Sequence, residues 1–483
     1  MALRGLMSAG RCATLRWIVA ATMVAMVASG VAAAASQATT LNVWGTSDVT
    51  DSDLMAGLIE PGYAAKYPGN TISYTAVGTG AAITAAENPA NEIDAIIVHS
   101  PPLEAPFVSG GYSYQNMLGY AIFYNQYIIA GPKTDPAGVK SVDSANAVGA
   151  FEKIAAAGAA GKATFVSRND NSGTNVEEQT IWGDVHTVDP PSSGGPLLQL
   201  APNAPAGNTT RYIPWTGTGT GIPAWYVETG VTQGANLIDT NNCNASPPTY
   251  STPYGGCYTI VDQGTYEYQS TQGTPTNTSN LEVVTTSNCA TCTGGAGLLT
   301  NPFHAYIVKS TMANQPGDLP ATEDLISYLT SSTFQTVSLP KFPKSGPEEF
   351  YPDAFAQLTS VSIPTSPVAP NSPITIQATL TYPPPIAQPI GGMPVVLQQC
   401  TSGASCSSSA PTSCTAGGGW TNNSTANSNA TSGVVTFNPT IGTTSTYYRF
   451  CMAQYSDSTL ASVFSFNADG TELGPNGGYV TVT

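Results

Sequence analysis

The alternation of short strands with helical patterns between residues 41 and about 337 is the feature that most restricts the fold. Strands rich in β-branched or aromatic residues are predicted at 41–44, 71–77, 93–98 and 120–130, the last three with the apolar character of buried parallel strands. Leu54, Leu58 and Ala65 follow a helical spacing, and a later helix is predicted to begin at Thr322 as its N-cap. This alternation predicts an α/β fold whose ligands bind at the carboxyl ends of the strands.

Two stretches interrupt the alternation, and the character of the chain then changes. We expect residues 186–220 and 241–256 to be surface insertions, because the first is rich in Pro and Gly and the second carries two cysteines. From about residue 359 only strands are predicted, at 374–382, 394–399, 433–437, 446–452 and 478–482. We therefore predict a linker at 346–358 and a separate β-sandwich of immunoglobulin type at 359–483.

The first 35 residues have the layout of a secretory signal peptide. Arg4, Arg11 and Arg16 precede or open an apolar run, and alanines at 33–35 provide a cleavage site. A short membrane anchor is the alternative interpretation. We expect a protein that is secreted, periplasmic or held at the cell surface, without a lipid anchor, because Cys12 precedes the apolar run instead of following it.

Eight of the nine cysteines follow the predicted signal peptide, and an even number in an exported chain indicates disulfides. We expect pairing within two groups of four, with Cys400 joined to Cys451 in the predicted sandwich. The Cys289 and Cys292 spacing also occurs in redox and zinc sites, but its Ser/Thr/Gly-rich setting favours a structural disulfide. The disulfide candidates are Cys243, Cys257, Cys289, Cys292, Cys400, Cys406, Cys414 and Cys451.

Charge and motifs exclude several functions. Charged residues make up 9% of the chain, against roughly 25% in typical domains, and the net charge is -16 without a basic run. This composition argues against nucleic acid, heparin or anionic membrane as a partner. The sequence contains no GxSxG elbow, HExxH motif, Walker loop or dinucleotide fingerprint after a strand, so we expect no catalytic residues, no metal site and no cofactor.

The remaining ionisable residues admit ordinary structural roles. We expect His99, His186 and His304 to be packed or hydrogen-bonded rather than catalytic. The acids at 48, 51 and 53 suggest a calcium loop, but the rest of that motif is missing. The dipole of the helix that follows is therefore the favoured explanation for these acids.

Small-residue turns between strands and helices are the strongest functional signal. They lie at 45–47, 77–80, 167–174 and 229–234. Such turns present backbone N–H groups and hydroxyls at the positive end of a helix, which suits an anion. Arg168 lies in the third turn shortly before residues 172–174, so its guanidinium can bind two oxygens while neighbouring groups bind the others. The alternative for Arg168 is a surface salt bridge to Asp170 or Glu177.

Seven ordered segments resemble the tungstate-binding proteins of ABC importers, over residues 40 to 345. These segments are 46–47, 76–80, 94–99, 131–137, 165–174, 225–230 and 258–266. The resemblance implies a type II periplasmic-binding-protein fold, with α/β lobes that close over an oxyanion. Lobe 1 would comprise about 36–125 and 305–345 and lobe 2 about 126–304, joined by crossing strands near 124–131 and 303–308.

The resemblance also implies a ligand set. By position, the expected contacts are Thr46, Ser47, Thr79, Gly80, Arg168 and Thr174, with Ser172, Gly173, Thr232 and Gly234 as weaker candidates. It implies a non-enzymatic solute-binding protein that passes tungstate or molybdate to a membrane ABC permease.

Two alternatives remain open. Phosphate-binding proteins share the Arg-x-x-x-Ser-Gly-Thr spacing, but a phosphate site needs an acceptor for the ligand's remaining proton, usually a carboxylate. Residues 99–101 offer none, which favours a fully deprotonated dianion such as tungstate or molybdate. The other alternative is a cell-surface structural or adhesion protein, in which the C-terminal sandwich mediates contacts.

Overall fold

The structure is a computed structural model that describes residues 38–141, 145–286, 289–343, 348–364, 366–382, 389–401, 406, 414, 416–453, 461–464 and 478–480. The predicted signal peptide lies outside these residues. Within the described ranges, no helix combines the length and the apolar character needed to cross a bilayer.

Helices and strands alternate through the first three quarters of the described chain. The helices are α1 (Asp48–Asp51), α2 (Glu60–Lys66), α3 (Thr79–Glu87), α4 (Pro101–Ser109), α5 (Ala147–Ala159), α6 (Gly173–Val188), α7 (Gln233–Cys243), α8 (Gln263–Gln269), α9 (Lys309–Asn314) and α10 (Leu319–Leu329). The strands in this part are β1 (Thr40–Thr46), β2 (Thr71–Val77), β3 (Ala95–Val98), β4 (Tyr120–Pro132), β5 (Thr164–Ser167), β6 (Leu198–Leu200), β7 (Tyr212–Pro214), β8 (Tyr226–Glu228), β9 (Cys257–Asp262), β10 (Leu281–Thr285), β11 (Thr300–Ile307) and β12 (Tyr351–Pro352). The C-terminal strands are β13 (Gln357–Ser362), β14 (Ile376–Thr381), β15 (Pro394–Thr401), β16 (Thr421–Asn427), β17 (Val434–Phe437), β18 (Thr446–Ala453), β19 (Ala461–Phe464) and β20 (Gly478–Val480).

One mixed sheet runs through the α/β region in the order β2-β1-β3-β11-β4-β9-β5-β8, with β10 and β12 also beside β4. β1 is parallel to β2 and β3, and β5 is parallel to β8 and β9. The prediction of a buried parallel strand is wrong for β4, which is antiparallel to each of its neighbours. β2 is parallel to its neighbour as predicted, but it is not buried, because it lies at the edge of the sheet and is partly exposed.

β4 and β11 connect two lobes. The first half of β4 pairs with β11, from Tyr120 opposite Ala305 to Gln126 opposite Thr300, and its second half pairs with β9 and β10. A separate hydrophobic core lies on each side of this crossing: Leu41, Phe123 and Leu329 belong to one, and Ile129, Phe151 and Trp182 to the other. The crossing strands implied near 124–131 and 303–308 are therefore present.

The two predicted insertions are more ordered than expected. α6 continues through His186, whose ring stacks on Tyr212 with centroids 4.6 Å apart. β6 and β7 form a hairpin whose Leu198 and Ile213 are buried in the second core, so the expectation of a surface insertion is wrong there. In the second stretch, α7 extends to Cys243, which a disulfide joins to the start of β9.

The helix near residue 322 begins earlier than predicted. α10 follows Asp318 and carries a proline in its first turn, a position that proline favours. Thr322 is therefore inside the helix, where its hydroxyl donates to the Asp318 carbonyl at 2.9 Å, instead of serving as the N-cap. The buried face of Leu325, Tyr328 and Leu329 is confirmed.

The region that follows joins the α/β fold to a second, all-β region. Part of the predicted linker is built into the fold, since Phe350 is fully buried and β12 pairs with β4. Two antiparallel sheets follow, β13-β14-β17 and β16-β15-β18-β19, with β20 beside β18. Their buried side chains, among them Ile376 and Leu397, form one shared core. The expected all-β region is confirmed, while its immunoglobulin type and the domain limits stay predictions.

Four disulfides join Cys243 to Cys257, Cys289 to Cys292, Cys400 to Cys406 and Cys414 to Cys451. Pairing within each group of four is confirmed, but the predicted Cys400–Cys451 bond is wrong. These residues lie on adjacent strands of one sheet, Cys400 opposite Tyr447 and Cys451 opposite Val396. Four positions along the ladder separate them by about 13 Å, beyond the reach of a disulfide.

Candidate functional site

The two lobes contact each other through the small-residue turns. The Gly80 N–H donates to the Asn171 carbonyl at 3.2 Å, and the Gly234 N–H donates to Asp51 Oδ2 at 2.8 Å. The cleft between the lobes is therefore closed. Six of the predicted contact residues are at most 2% exposed there: Thr46, Ser47, Thr79, Arg168, Ser172 and Thr174.

The turn that carries Arg168 has a specific local cause. Asn169 and Asn171 adopt positive φ angles of 44° and 55°, which asparagine tolerates better than most residues. Ser172 then caps α6, its Oγ accepting from the Asn175 N–H at 3.3 Å. The chain thereby reverses after β5 and directs the first turn of α6, with Thr174, into the cleft.

Arg168 lies between carboxylates and an amide in the closed cleft. Its Nη2 donates to Asp170 Oδ2 at 2.7 Å, and its Nη1 donates to Gln233 Oε1 at 2.8 Å and to Asp48 Oδ1 at 3.4 Å. The ion pair with Asp170, expected as the alternative role, is present, but the guanidinium is buried and not at the surface. The Arg168 side chain thus extends from lobe 2 and contacts α1 of lobe 1.

Three buried donors in the cleft have no hydrogen-bond partner among the described residues: Arg168 Nε, Thr79 Oγ1 and Thr174 Oγ1. Thr79 begins α3 and Thr174 lies in the first turn of α6, so both stand at positive helix ends. The two turns touch, because a Cβ added at Gly78 would lie 3.3 Å from Ser172 Cβ. An unsatisfied buried donor costs about 1–3 kcal/mol, so this arrangement suits an anion that accepts from all three.

Asp48 is a residue of the cleft that the predicted ligand set did not include. It is fully buried in α1, with Oδ2 3.3 Å from His99 Nε2 and Oδ1 facing Arg168. Asp48 lies in the first turn of α1, as the helix-dipole explanation expects, but its carboxylate also faces Arg168 in the cleft. A carboxylate is therefore available to a ligand, although residues 99–101 offer none. Burial raises the pKa of Asp48 to about 6, although the charge of Arg168 opposes this shift.

A chain of hydrogen bonds behind the cleft fixes the orientation of His99. Asp262 Oδ1 accepts from Asn125 Nδ2 at 3.0 Å, and Asn125 Oδ1 accepts from Asn301 Nδ2 at 2.8 Å. Asn301 Oδ1 lies 2.6 Å from His99 Nδ1, which assigns the imidazole proton to that nitrogen. His99 Nε2 then accepts from the Thr46 hydroxyl at 2.8 Å. The expected hydrogen-bonded role of His99 is confirmed, and the Thr46 hydroxyl proton is engaged within the protein.

Sequence reasoning missed Asn125, Asn301 and Asp262. A signal was available for the two asparagines, because each is an amide within a crossing strand made mostly of apolar and aromatic residues. Burial lowers the pKa of His99 to about 4 and raises that of Asp262 to about 7, so the imidazole is neutral at neutral pH. These hydrogen bonds therefore fix the orientation of His99 without adding a positive charge to the cleft.

The other predicted contacts have partners inside the protein. Ser47 Oγ accepts from the Gln233 N–H at 3.3 Å. Gly173 packs on the His99 ring, where an added Cβ would lie 2.5 Å from Cε1, so only glycine fits. Thr232 is exposed and caps α7 through its hydroxyl. The groups left for a ligand are thus fewer than the ten predicted.

Known proteins share this architecture. Residues 32–333 match the model of the PBP superfamily domain. The chain is 28% identical over 281 residues to a protein of Haloferax volcanii described as an ABC transporter anion-binding protein, covering 58% of this chain and 63% of that one. It is 34% identical over 140 residues to the tungstate-binding protein TupA of Peptoclostridium acidaminophilum, covering 29% and 45%. The chain thus spans less than two thirds of either relative.

Among solved structures, the tungstate ABC transporter protein of Geobacter sulfurreducens is 26% identical, with a TM-score of 0.42, covering 62% of this chain and 98% of that one. The strand order described above and the match to the PBP superfamily domain confirm the expected fold class, a two-lobed α/β region of the type II periplasmic-binding-protein kind followed by an all-β region. The family model covers more than half of the chain. The chain belongs to the PBP superfamily.

Proposed function

We propose that this chain is an extracytoplasmic solute-binding protein that holds a tetrahedral oxyanion, tungstate or molybdate, between its lobes and passes it to the permease of an ABC importer. The observation that carries the proposal is the set of three buried, unpartnered donors on Arg168, Thr79 and Thr174. They come from both lobes, so one anion can bridge the lobes and stabilise their closure. The name of the tungstate-binding relative supports the choice of ligand.

The site is suited to binding and not to catalysis. The His99 imidazole contacts the Thr46 hydroxyl through Nε2 and the Tyr127 hydroxyl through Nδ1. Because burial lowers the pKa of His99 to about 4, this imidazole is a weak base at neutral pH. Neutral hydroxyls, helix N-termini and one guanidinium can hold an oxyanion without reacting with it.

Phosphate is the second candidate, and Asp48 is the observation that favours it. Hydrogen phosphate brings its own proton and can donate it to a carboxylate in the cleft. Tungstate and molybdate carry no such proton as dianions, so Asp48 itself has to be protonated when they bind. The same carboxyl therefore distinguishes the two ligand classes by where the proton comes from.

Calorimetric titration of the mature chain with tungstate, molybdate, sulfate and phosphate tests the proposal. Tungstate or molybdate is expected to bind most tightly, and Arg168→Ala is expected to weaken binding at least about 100-fold, because the charge-assisted hydrogen bond from Nε and the positive charge of the guanidinium are both lost. Arg168→Lys keeps the positive charge but lacks the planar guanidinium, so its affinity should lie between those of the wild type and Arg168→Ala. Lys140→Ala, which removes an exposed cation paired with Glu282, is the matched control.

The outcomes separate the hypotheses. Preference for phosphate over tungstate would move the chain to the phosphate class. An Arg168→Ala variant that is folded, by its thermal transition, and binds with unchanged affinity would refute the site. A folded wild-type chain that binds none of the four anions would refute the function and favour the structural or adhesion role.

A further inference from the structure

A cavity lies in the cleft beside the proposed oxyanion site. Its volume is about 400 Å³, several times that of a tetrahedral oxyanion, and its walls come from the N-terminal end of α4, the first turns of α6, and β11. Both lobes and a crossing strand therefore contribute to it. The proposed function makes no use of this space.

Three polar atoms of the cavity walls are buried and have no hydrogen-bond partner within the described ranges: Ser100 Oγ, Glu177 Oε1 and His304 Nε2. Ser100 and His304 are at most 3% exposed. Ser100 precedes α4 but makes no side-chain capping bond, so its hydroxyl has no role in starting the helix. Three such atoms around one cavity are costly unless a molecule binds there.

The imidazole of His304 is oriented toward the cavity by Glu104. Glu104 Oε2 lies 2.6 Å from His304 Nδ1 and accepts from the Tyr306 hydroxyl at 2.8 Å, while Oε1 accepts from the Ser100 N–H at 2.6 Å. Burial opposes ionisation of Glu104, but His304 and these hydrogen bonds outweigh it and lower its pKa. The ionised carboxylate holds the proton of His304 on Nδ1 and leaves Nε2 for a bound molecule.

The polar groups of the cavity carry little net charge. Burial raises the pKa of Glu177 to about 8, with a further contribution from Asp184, so its carboxyl is mostly protonated at neutral pH. The Glu104 carboxylate lies against Nδ1 of His304, and His99 is neutral. Each of the three groups pairs readily with hydroxyls, which both donate and accept hydrogen bonds.

We propose that this cavity is a second binding site, specific for a small uncharged polyhydroxylated molecule, a polyol or monosaccharide. Much of the remaining wall is apolar and is supplied by prolines at 101, 102 and 302, by Val176 and by Tyr127, while Thr300 adds one more polar residue. An apolar wall with a few convergent polar groups is typical of small-molecule sites. A full charge of either sign would find no dedicated counterion among Ser100, Glu177 and His304.

The cavity and the oxyanion site share a wall but not their binding groups. His99 and Gly173 border the cavity, while His99 Nε2 faces Thr46 and Asp48 on the other side. Arg168 is not among the residues that line the cavity. The proposal therefore goes beyond the oxyanion function, and a variant at Arg168 separates the two.

The test measures binding of D-glucose and D-mannitol to the mature chain, with D-glucuronate and D-glucosamine as charged probes, by ligand-observed NMR and calorimetry. At least one neutral probe is expected to bind more tightly than either charged probe. Ser100→Ala and Glu177→Met should each weaken it about fivefold, the loss of one hydrogen bond. Glu177→Gln, which keeps a neutral hydrogen-bonding group, should stay within about twofold.

Control variants distinguish a specific loss of sugar binding from misfolding and from loss of the oxyanion site. Ser109→Ala at the other end of α4 and Glu152→Gln on α5 should leave sugar binding unchanged, and Arg168→Ala should retain it while losing the oxyanion. The proposal is overturned if a folded chain that binds tungstate binds neither neutral probe. It is equally overturned if only a charged probe binds, or if both Ser100→Ala and Glu177→Met bind as wild type.

Discussion

Asp48 Oδ1 and Arg168 Nη1 lie 3.4 Å apart across the closed cleft, and neither side chain is more than 2% exposed. The carboxylate belongs to lobe 1 and the guanidinium to lobe 2, so the pair joins the lobes at the position proposed for the ligand. A dianion held by Arg168 would meet the negative charge of Asp48 at close range. Like charges in a buried site are relieved by taking up a proton.

Tungstate binding is therefore expected to depend on the protonation of Asp48. Burial already raises the pKa of Asp48 to about 6, and a bound dianion raises it further. Binding then takes up a proton, so wild-type affinity should fall as pH rises from 6 to 9, approaching about tenfold per pH unit. Asp48→Asn cannot ionise and should bind with nearly constant affinity over this range.

Calorimetry at four pH values in buffers of different ionisation enthalpy measures both the slope and the number of protons taken up. Asp324→Asn on α10 is the matched control and should keep the wild-type slope. A wild-type affinity that does not change with pH, or an Asp48→Asn variant with the wild-type slope, contradicts the role of Asp48.

The hydroxyls of Thr79 and Thr174 give a second prediction. Both are buried and unpartnered, so Thr79→Val and Thr174→Val should each weaken tungstate binding about tenfold without lowering the thermal transition. Thr381→Val in β14 removes a buried hydroxyl that has no hydrogen-bond partner among the described residues. Because β14 belongs to the C-terminal sheets, this variant should leave affinity unchanged. Two threonine variants with wild-type affinity would show that these hydroxyls do not contact the ligand.

The strands and the turns could be predicted from the sequence because each has a local pattern, whereas the crossing of the chain between the lobes was implied only by the family resemblance. β2 and the turn containing Arg168 follow from apolar runs and small residues within a few positions. The role of Asp48 could not be predicted in this way, since its partners His99 and Arg168 are 51 and 120 residues away along the chain. Only the closure of two lobes brings these three side chains together.

The same limit explains the errors in the second half of the chain. The Cys400–Cys451 prediction rested on a two-sheet pattern, but strand order places both cysteines on neighbouring strands of one sheet. Burial of the hairpin at β6 and β7 depends on packing against lobe 2, although its composition is that of a surface loop. Long-range strand order and packing are not encoded in local periodicity.

Stability should increase on mild acidification. Among the described residues, burial raises the pKa of seven carboxyl groups into the range from about 6 to about 8: Glu177, Glu349 and Asp353 to about 8, Asp262 and Glu178 to about 7, and Asp48 and Asp94 to about 6. The folded chain therefore binds more protons than the unfolded chain between about pH 4 and 8, and stability is lost as pH rises through these values. His99, with its lowered pKa, acts in the opposite direction but is a single group.

Chemical denaturation at pH 5 and pH 8 measures this difference. The free energy of unfolding is expected to be larger at pH 5 by more than about 2 kcal/mol. Asp353→Asn removes one contributing carboxyl, whose two oxygens are both buried and unpartnered among the described residues, and should reduce the difference. Equal stability at both pH values, or greater stability at pH 8, would contradict the burial of these groups.

The position of tungsten in crystals grown with tungstate tests the central claim most directly, because anomalous scattering locates the metal independently of the protein coordinates. One peak is expected in the cleft, with its oxygens within hydrogen-bond distance of Arg168 Nε, Thr79 Oγ1 and Thr174 Oγ1. A peak elsewhere, or an empty cleft in crystals of a chain that binds tungstate in solution, would contradict the account.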